Sequence, residues 1–261
     1  MKNLYLLLFS LITIFGTFQV DLNNGLMAYY PFKTNAMDVS GNNNNANVVG
    51  PTLTQDRNQL TNNAYNFSKT SDRLPVSYNS SLDISGTKQF SAAVWIYPTS
   101  SNLVNGRIIN FGSIYGKAYE ITYTGNLATA DSARIEFYNY SSATIVSIYS
   151  STKIALNKWY LIIVTADANS GDSRLYLNNS LVGISSVQQV IPTSSTFTSQ
   201  PMLTIGNHDT NNWGFIGIID EVRLYKRILN PSEIDYLYNH YSAILNRNTS
   251  IDFKVFPQSI Y

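Results

Sequence analysis

Cysteine is absent from this chain, which removes disulfides, thiol nucleophiles and zinc-thiolate sites and leaves stability to the core. Charge is scarce too: Asp, Glu, Lys and Arg make up 13% of residues, the formal net charge is +1, and Lys and Arg form no cluster. Nucleic acid and anionic membrane surfaces require a basic patch, so neither is an expected partner. Only two histidines occur, His208 and His240, and neither has a nucleophile elbow nearby, which leaves a Ser-His-acid triad unsupported. Long apolar runs are also missing. Residues 4–18, after the basic MKN start, fall short of the ~20 residues that span a bilayer. They read as a secretory signal cleaved near residues 19–20; the small-residue cleavage pattern is poor, and an uncleaved anchor is the alternative. The expected organisation is a signal over 1–20, one domain over 21–241 and a tail over 242–261, with the protein secreted or at the cell surface.

Aromatic and β-branched residues are plentiful, with 19 Tyr, 12 Phe and 3 Trp, and such residues favour strands. Alternating runs of five to ten residues recur between Gly, Asn, Ser and Pro clusters, as in an antiparallel sandwich. The expected strands lie at 26–32, 64–67, 74–77, 89–97, 107–111, 117–124, 133–140, 143–150, 158–166, 173–178, 181–184, 202–206 and 215–226. Asn178-Asn179 reads as a hairpin turn. One helix is expected over 231–241: Asn230 is the N-cap, Pro231 sits at the first helical position, and Glu233 completes a capping box.

The segment FIGIIDEVRLY (215–225) carries an anomaly. At a strand period of two, Ile216, Ile218, Asp220, Val222 and Leu224 share one face, and Glu221, Arg223 and Tyr225 the other. A bare carboxylate among aliphatic side chains must be paired, hydrogen-bonded or bound to a cation. Glu221 and Arg223 read as a surface ion pair.

The closing GxIDEVRLY and NPSEI, the opening AYYPFKTNAMDVSGNNNNA with its D-x-S-G loop (Asp38, Ser40, Gly41), and the intervening FSAAVWIYP, NKWYLIIVTAD, RLYLNNSLVG and LTIGN resemble laminin G-like domains of the concanavalin A-like lectin and glucanase superfamily. The resemblance covers roughly residues 25–241. It implies an all-β, antiparallel two-sheet jelly-roll sandwich with one short C-terminal helix. By the same resemblance a structural Ca2+ is expected between the first loop and the last strand, held by Asp38, Asp220 and carbonyls near Gly41 to Asn43. Calcium takes six to eight oxygen ligands, and this loop offers oxygen only. The alternative is that Asp38 forms an Asx turn and Asp220 accepts backbone N–H bonds.

The glucanases of this superfamily place paired carboxylates on one strand, about 5–5.5 Å apart in retaining enzymes. The four glutamates here, Glu120, Glu136, Glu221 and Glu233, form no such motif, so no catalytic residue is expected. Binding is expected instead. In NHDTNNW (207–213) the candidates are Asn207, His208, Asp209, Asn211, Asn212 and Trp213, where a flat ring can meet a sugar face and amides its hydroxyls. The competing reading is an Asn-rich turn with Trp213 covering the core edge. Tyr115, Tyr123 and Tyr140 are weaker exposed candidates, whereas Trp95 and Trp159 belong to the core. The expected partner is an extracellular or cell-surface glycan, or alternatively a matrix protein bound by an adhesion module.

Overall fold

A computed structural model describes residues 20–100, 105–112, 118–126, 129–140, 145–187, 203–208 and 213–239. The expected tail and residues 1–19 of the expected signal lie outside the described residues. The early strands are β1 (Leu26–Tyr30), β2 (Thr52–Thr54), β3 (Ala64–Phe67), β4 (Leu74–Val76) and β5 (Gln89–Pro98). The middle of the chain forms β6 (Gly106–Gly112), β7 (Ala118–Asn126), β8 (Thr129–Tyr140), β9 (Ile145–Tyr149) and β10 (Tyr160–Asp167). Then follow β11 (Ser173–Leu177), β12 (Ser180–Ser185), β13 (Leu203–Ile205), β14 (Gly217–Tyr225) and the helix α1 (Pro231–Asn239).

An eight-stranded sheet runs β12-β11-β10-β5-β14-β3-β2, with β1 also pairing β14, and a six-stranded sheet runs β4-β13-β6-β7-β8-β9. All named strand pairs are antiparallel, and long crossovers put β5 between β10 and β14, as a jelly roll requires. Inward residues of the two sheets interleave: Phe90 of β5 packs against Phe111 of β6 at 5.0 Å and Tyr119 of β7 at 5.1 Å between ring centroids. Full burial of side chains such as Val94, Ile162, Phe67, Ile109 and Phe137 contributes roughly 1.5–3 kcal/mol each. Asn178 and Asn179 both adopt positive φ, 47° and 68°, in the β11–β12 turn, the hairpin geometry that asparagine tolerates.

A second apolar layer lies outside the eight-stranded sheet, where Ala93, Trp95, Leu161, Ile163 and Tyr225 meet Leu229, Ile234 and Leu237 under α1. The capping box forms as expected, with Glu233 N–H donating to Asn230 Oδ1 (3.0 Å) and Asn230 N–H to Glu233 Oε2 (2.8 Å). Trp95 is buried in this outer layer, while Trp159 is only partly buried against it.

Three expectations are corrected. The short strand β2 lies where none was expected. Tyr123, taken as exposed, is fully buried and meets Phe215 edge-on at 5.9 Å, because it shares parity with the inward Tyr119 and Ile121. The third correction concerns β14. Asp220 pairs with Trp95 and Arg223 with Ala93, so Glu221 and Val222 together oppose Val94 in a bulge. Glu221 there has φ 54°, in the left-handed region. Ile219 faces inward before the bulge, and Val222 and Leu224 do so after it. Asp220 therefore does not share the aliphatic face with Val222 and Leu224; it lies outward beside Trp95. Glu221 and Arg223 are no surface pair either: their side chains are 0% and 5% exposed and meet at 2.6 Å.

Candidate functional site

The first loop is organised around Asp38. Its Oδ1 accepts the N–H groups of Tyr29 and Ser40, and its Oδ2 accepts Asn44 N–H and Ser40 Oγ–H, all at 2.9 Å. The asparagines that follow point their amides back at β1: Asn42 donates to the Leu26 and Met27 carbonyls, and Asn44 to Met27 O. The carbonyls of Asn42 and Asn44 accept from Asn79 Nδ2 and the Tyr30 hydroxyl. Asn43, at φ 59°, stands exposed at the tip.

Asp220 lies in different surroundings. Its Oδ1 accepts Glu221 N–H at 2.8 Å, and its Oδ2 is buried with no hydrogen-bond partner. Burial pushes the Asp220 carboxyl well above the usual range, and the neighbouring Glu221 and Asp56 carboxylates push it further, against the pull of Arg57. The Arg57 guanidinium itself lies 4.1 Å from the Trp95 ring centre. Next along the bulge, Glu221 accepts the Tyr29 hydroxyl at 2.9 Å, and Arg223 stacks on the Tyr29 ring at 3.8 Å.

These residues do not fit the calcium ion expected between them. The four acceptor positions of Asp38 are all occupied by protein donors, and Asp38 and Asp220 share no hydrogen-bond partner.

The candidate sugar loop is pinned at both ends. Trp213 O accepts Arg107 N–H at 2.9 Å, Phe215 N–H donates to Gly206 O at 2.9 Å, and Gly214 bridges Arg107 of β6 in parallel. Gly206 needs its φ of 84° there, since a Cβ would meet the Phe67 ring at 2.0 Å. Asn207 is spent on this architecture, its Nδ2 donating to Thr70 O and its Oδ1 accepting His208 N–H. His208 is buried with Nδ1 unpartnered. Burial, assisted by the Arg107 charge, holds its pKa down to about 4, so the imidazole is neutral at physiological pH. Trp213 is 47% exposed, with the Arg107 guanidinium 4.9 Å from its ring centre and His208 at 6.5 Å. Asp209, Asn211 and Asn212 lie outside the described residues, as do Tyr115 and the side chain of Tyr140.

Sequence reasoning missed the residues on which this loop rests. Arg107 pairs with Glu120 at 3.2 Å, and Asn110 Nδ2 donates to Glu120 Oε1 at 3.0 Å, forming a polar cluster on the outward face of β6 and β7. For Asn110 and Glu120 the available signal was their alternation with Ile109, Phe111, Tyr119 and Ile121 at strand period, whereas Arg107 shares parity with Ile109 and Phe111 and leaves the core face only through the irregularity between Arg107 and Ile109.

This geometry places the chain in a class that the comparisons define. A profile described as the concanavalin A-like lectin/glucanases superfamily (Laminin_G_3) matches residues 68–235, and the chain belongs to that family. It is 24% identical over 169 residues to botulinum neurotoxin type X of Clostridium botulinum, which covers 64% of this chain and 12% of the toxin. Among solved structures it is similar to the binding domain of paraclostridial mosquitocidal protein 1, with TM-score 0.65 and 19% identity over 85% of this chain and 53% of that one. It is likewise similar to domain 4 of AbnA, an extracellular GH43 arabinanase from Geobacillus stearothermophilus solved in complex with arabinotriose. There the TM-score is 0.61 and identity 17%, over 82% of this chain and 98% of that domain. The chain thus spans a small part of the toxin and about half of the mosquitocidal binding domain. At these identities the structural likeness establishes the jelly-roll fold.

Proposed function

We propose that this protein is a non-catalytic recognition module that binds carbohydrate outside the cell. The observation that carries the reading is Trp213, half exposed on a loop pinned at both ends, beside the buried side chains of His208 and Glu120 and the partly buried Arg107. A rigid aromatic surface next to fixed hydrogen-bonding groups is how proteins hold a sugar ring. Likeness to nearly the whole of an arabinanase domain solved with arabinotriose supports the reading. That enzyme's extracellular setting and the apolar segment 4–18 support action outside the cell. A calcium ion is no part of the proposal, because the Asp38 oxygens are already committed.

The test is a glycan array run beside immobilised matrix proteins, with reducing-sugar release measured in parallel. Saturable binding to discrete glycans, reduced at least tenfold by Trp213→Ala, with no release of reducing ends, is the expected result. Binding to matrix protein alone makes it a protein-adhesion module, and reducing-end release makes it an enzyme.

A further inference from the structure

We propose that the cleft between the β10–β11 hairpin and the connection from β14 to α1 binds a small zwitterion of amino-acid size, its ammonium group on Asp172 and its carboxylate on Arg174. The cleft lies on the outer face of the eight-stranded sheet, whereas Arg107 and the loop of Trp213 belong to the other sheet. It takes a different ligand from that loop.

Strand register builds the cleft. Thr165 of β10 lies opposite Arg174 of β11, and beyond them Asp167 N–H donates to Asp172 O at 2.8 Å. Val164, Ala166 and Leu175 are core, so the residues that alternate with them turn to the outer face. Ser170 at the hairpin tip and Ile228 on the way into α1 complete the lining. The tip is held by Gly171, whose N–H donates to Asp167 O at 2.8 Å with φ at 84°, and by Ala168 N–H on Lys88 O at 2.9 Å.

Asp167 is largely committed to this hairpin. Its Oδ1 accepts Asn169 N–H at 2.9 Å and Asn169 Nδ2 at 3.0 Å, and its Oδ2 accepts Gln89 Nε2 at 3.0 Å. Asp172 and Arg174 are not committed. Among the described residues, neither side chain makes a hydrogen bond or joins an ion pair. Arg174 is exposed and Asp172 half-buried, so both can be reached. They stand two residues apart, roughly 7 Å between Cα atoms at the rise of a strand, yet their charged ends do not meet each other.

Size and charge together select the ligand. The cleft holds about 170 Å³, room for about five or six waters at ~30 Å³ each. That is well short of the ~300–1,000 Å³ of sites for larger ligands, so one amino acid fits and an oligosaccharide does not. Arg174 is the one cation in the lining. A purely cationic ligand on Asp172 would face it, and a purely anionic ligand on Arg174 would face the carboxylates, whereas a zwitterion complements both. The guanidinium fork takes a carboxylate through two hydrogen bonds. An ammonium group brings three donors for Asp172 and for the acceptor position still open on Asp167. Ile228 gives the ligand's side chain an apolar wall. Both charges are partly open to water, which sets the affinity in the millimolar range.

The experiment is a titration of the isotope-labelled full chain followed by amide chemical shifts, with L-leucine, with leucinamide, which lacks the carboxylate, and with N-acetylleucine, which lacks the ammonium. It is run on wild type, Asp172→Asn, Arg174→Gln and Trp213→Ala, with thermal unfolding of each variant to show that it is folded. The expected result is saturable movement of amides in residues 165–174 and 228 with leucine. Removing either charge from the ligand or either partner from the cleft should weaken it about fivefold or more, a charge-assisted hydrogen bond discounted for exposure, while Trp213→Ala leaves it unchanged. Leucinamide or N-acetylleucine bound as tightly as leucine makes this a site for a single charge and overturns the zwitterion assignment. Absence of saturable movement in these residues at tens of millimolar leucine, or its loss in Trp213→Ala, overturns the site, and neither result touches the carbohydrate reading.

Discussion

Replacing Asp220 with asparagine should stabilise the protein, and increasingly so as pH rises. Asp220 is completely buried, one oxygen accepts Glu221 N–H, and the other has no hydrogen-bond partner. An asparagine keeps the first bond through its own Oδ1 and carries no charge to desolvate. Burial is the main cause of the raised Asp220 pKa, with Glu221 and Asp56 adding to it. Between the unfolded value of about 3.9 and that raised value, the folded protein holds a proton that the unfolded chain has released. The stability contributed by protonated Asp220 is thus fully present below the unfolded pKa and lost as pH rises through the folded one, at about 1.4 kcal/mol per pH unit. The variant lacks this slope. Relative to wild type it should gain at most about 1.4 kcal/mol per unit as pH rises from 4 toward the raised value, each kcal/mol being roughly 2–4 °C in Tm for a domain of this size. The new amide donors impose a constant cost of about 1–3 kcal/mol if they find no partner, so the slope rather than the offset is the test. Urea unfolding of both proteins at pH 4, 5 and 6 measures it, and acid-side changes common to both, such as those of His208, cancel. A pH-independent difference, or a variant that loses ground as pH rises, would refute the reasoning, and a metal ligand at Asp220 would produce the second.

Thermal unfolding in millimolar calcium and in chelator should agree within about 1 °C, while Asp38→Ala, which removes four accepted hydrogen bonds, should lower stability by about 3 kcal/mol under both conditions. Glu233→Ala should cost about 2–3 kcal/mol in urea unfolding, since it breaks a two-pronged contact with Arg227 at 2.7 Å and the reciprocal cap on Asn230. His208, held down to about 4, contributes stability present above its unfolded value near 6.5 and lost as pH falls toward 4. His208→Gln should therefore flatten the acid limb of a Tm-versus-pH profile, and an unchanged limb would count against its burial.

Much of the sandwich was legible because period-two alternation and turn chemistry act locally. FSAAVWIYP, NKWYLIIVTAD and RLYLNNSLVG became β5, β10 and the β11–β12 hairpin within a few residues of expectation, since each strand buries one face on its own pattern. The helix start was equally readable, for Asn230, Pro231 and Glu233 form a cap that depends on nothing distant. The three-residue β2 was not, because Thr52–Thr54 is too short to show a period and owes its conformation to pairing with β3.

The candidate site was harder to read because parity fails at a bulge and because pairing is not written in any single strand. Glu221 takes its left-handed backbone without a glycine to mark it. A count by twos across residues 216–224 therefore put Asp220 on the wrong face and suggested a cation where the fold supplies an outer layer of Trp95, Asp56 and Arg57. On β7 the count holds, and the rule that sends Tyr119, Ile121 and Tyr123 inward sends Glu120 and Thr122 outward. What that strand alone could not show is that Glu120 would stand between Asn110 and Tyr138, or that Thr122 would stand between Arg107 and Glu136. A polar residue alternating with core looks like an ordinary solvated position until the register sets its neighbours on two sides. On this sheet the neighbours are also polar and several are buried. Local patterning therefore predicts which way these side chains point, while only long-range pairing makes them one surface.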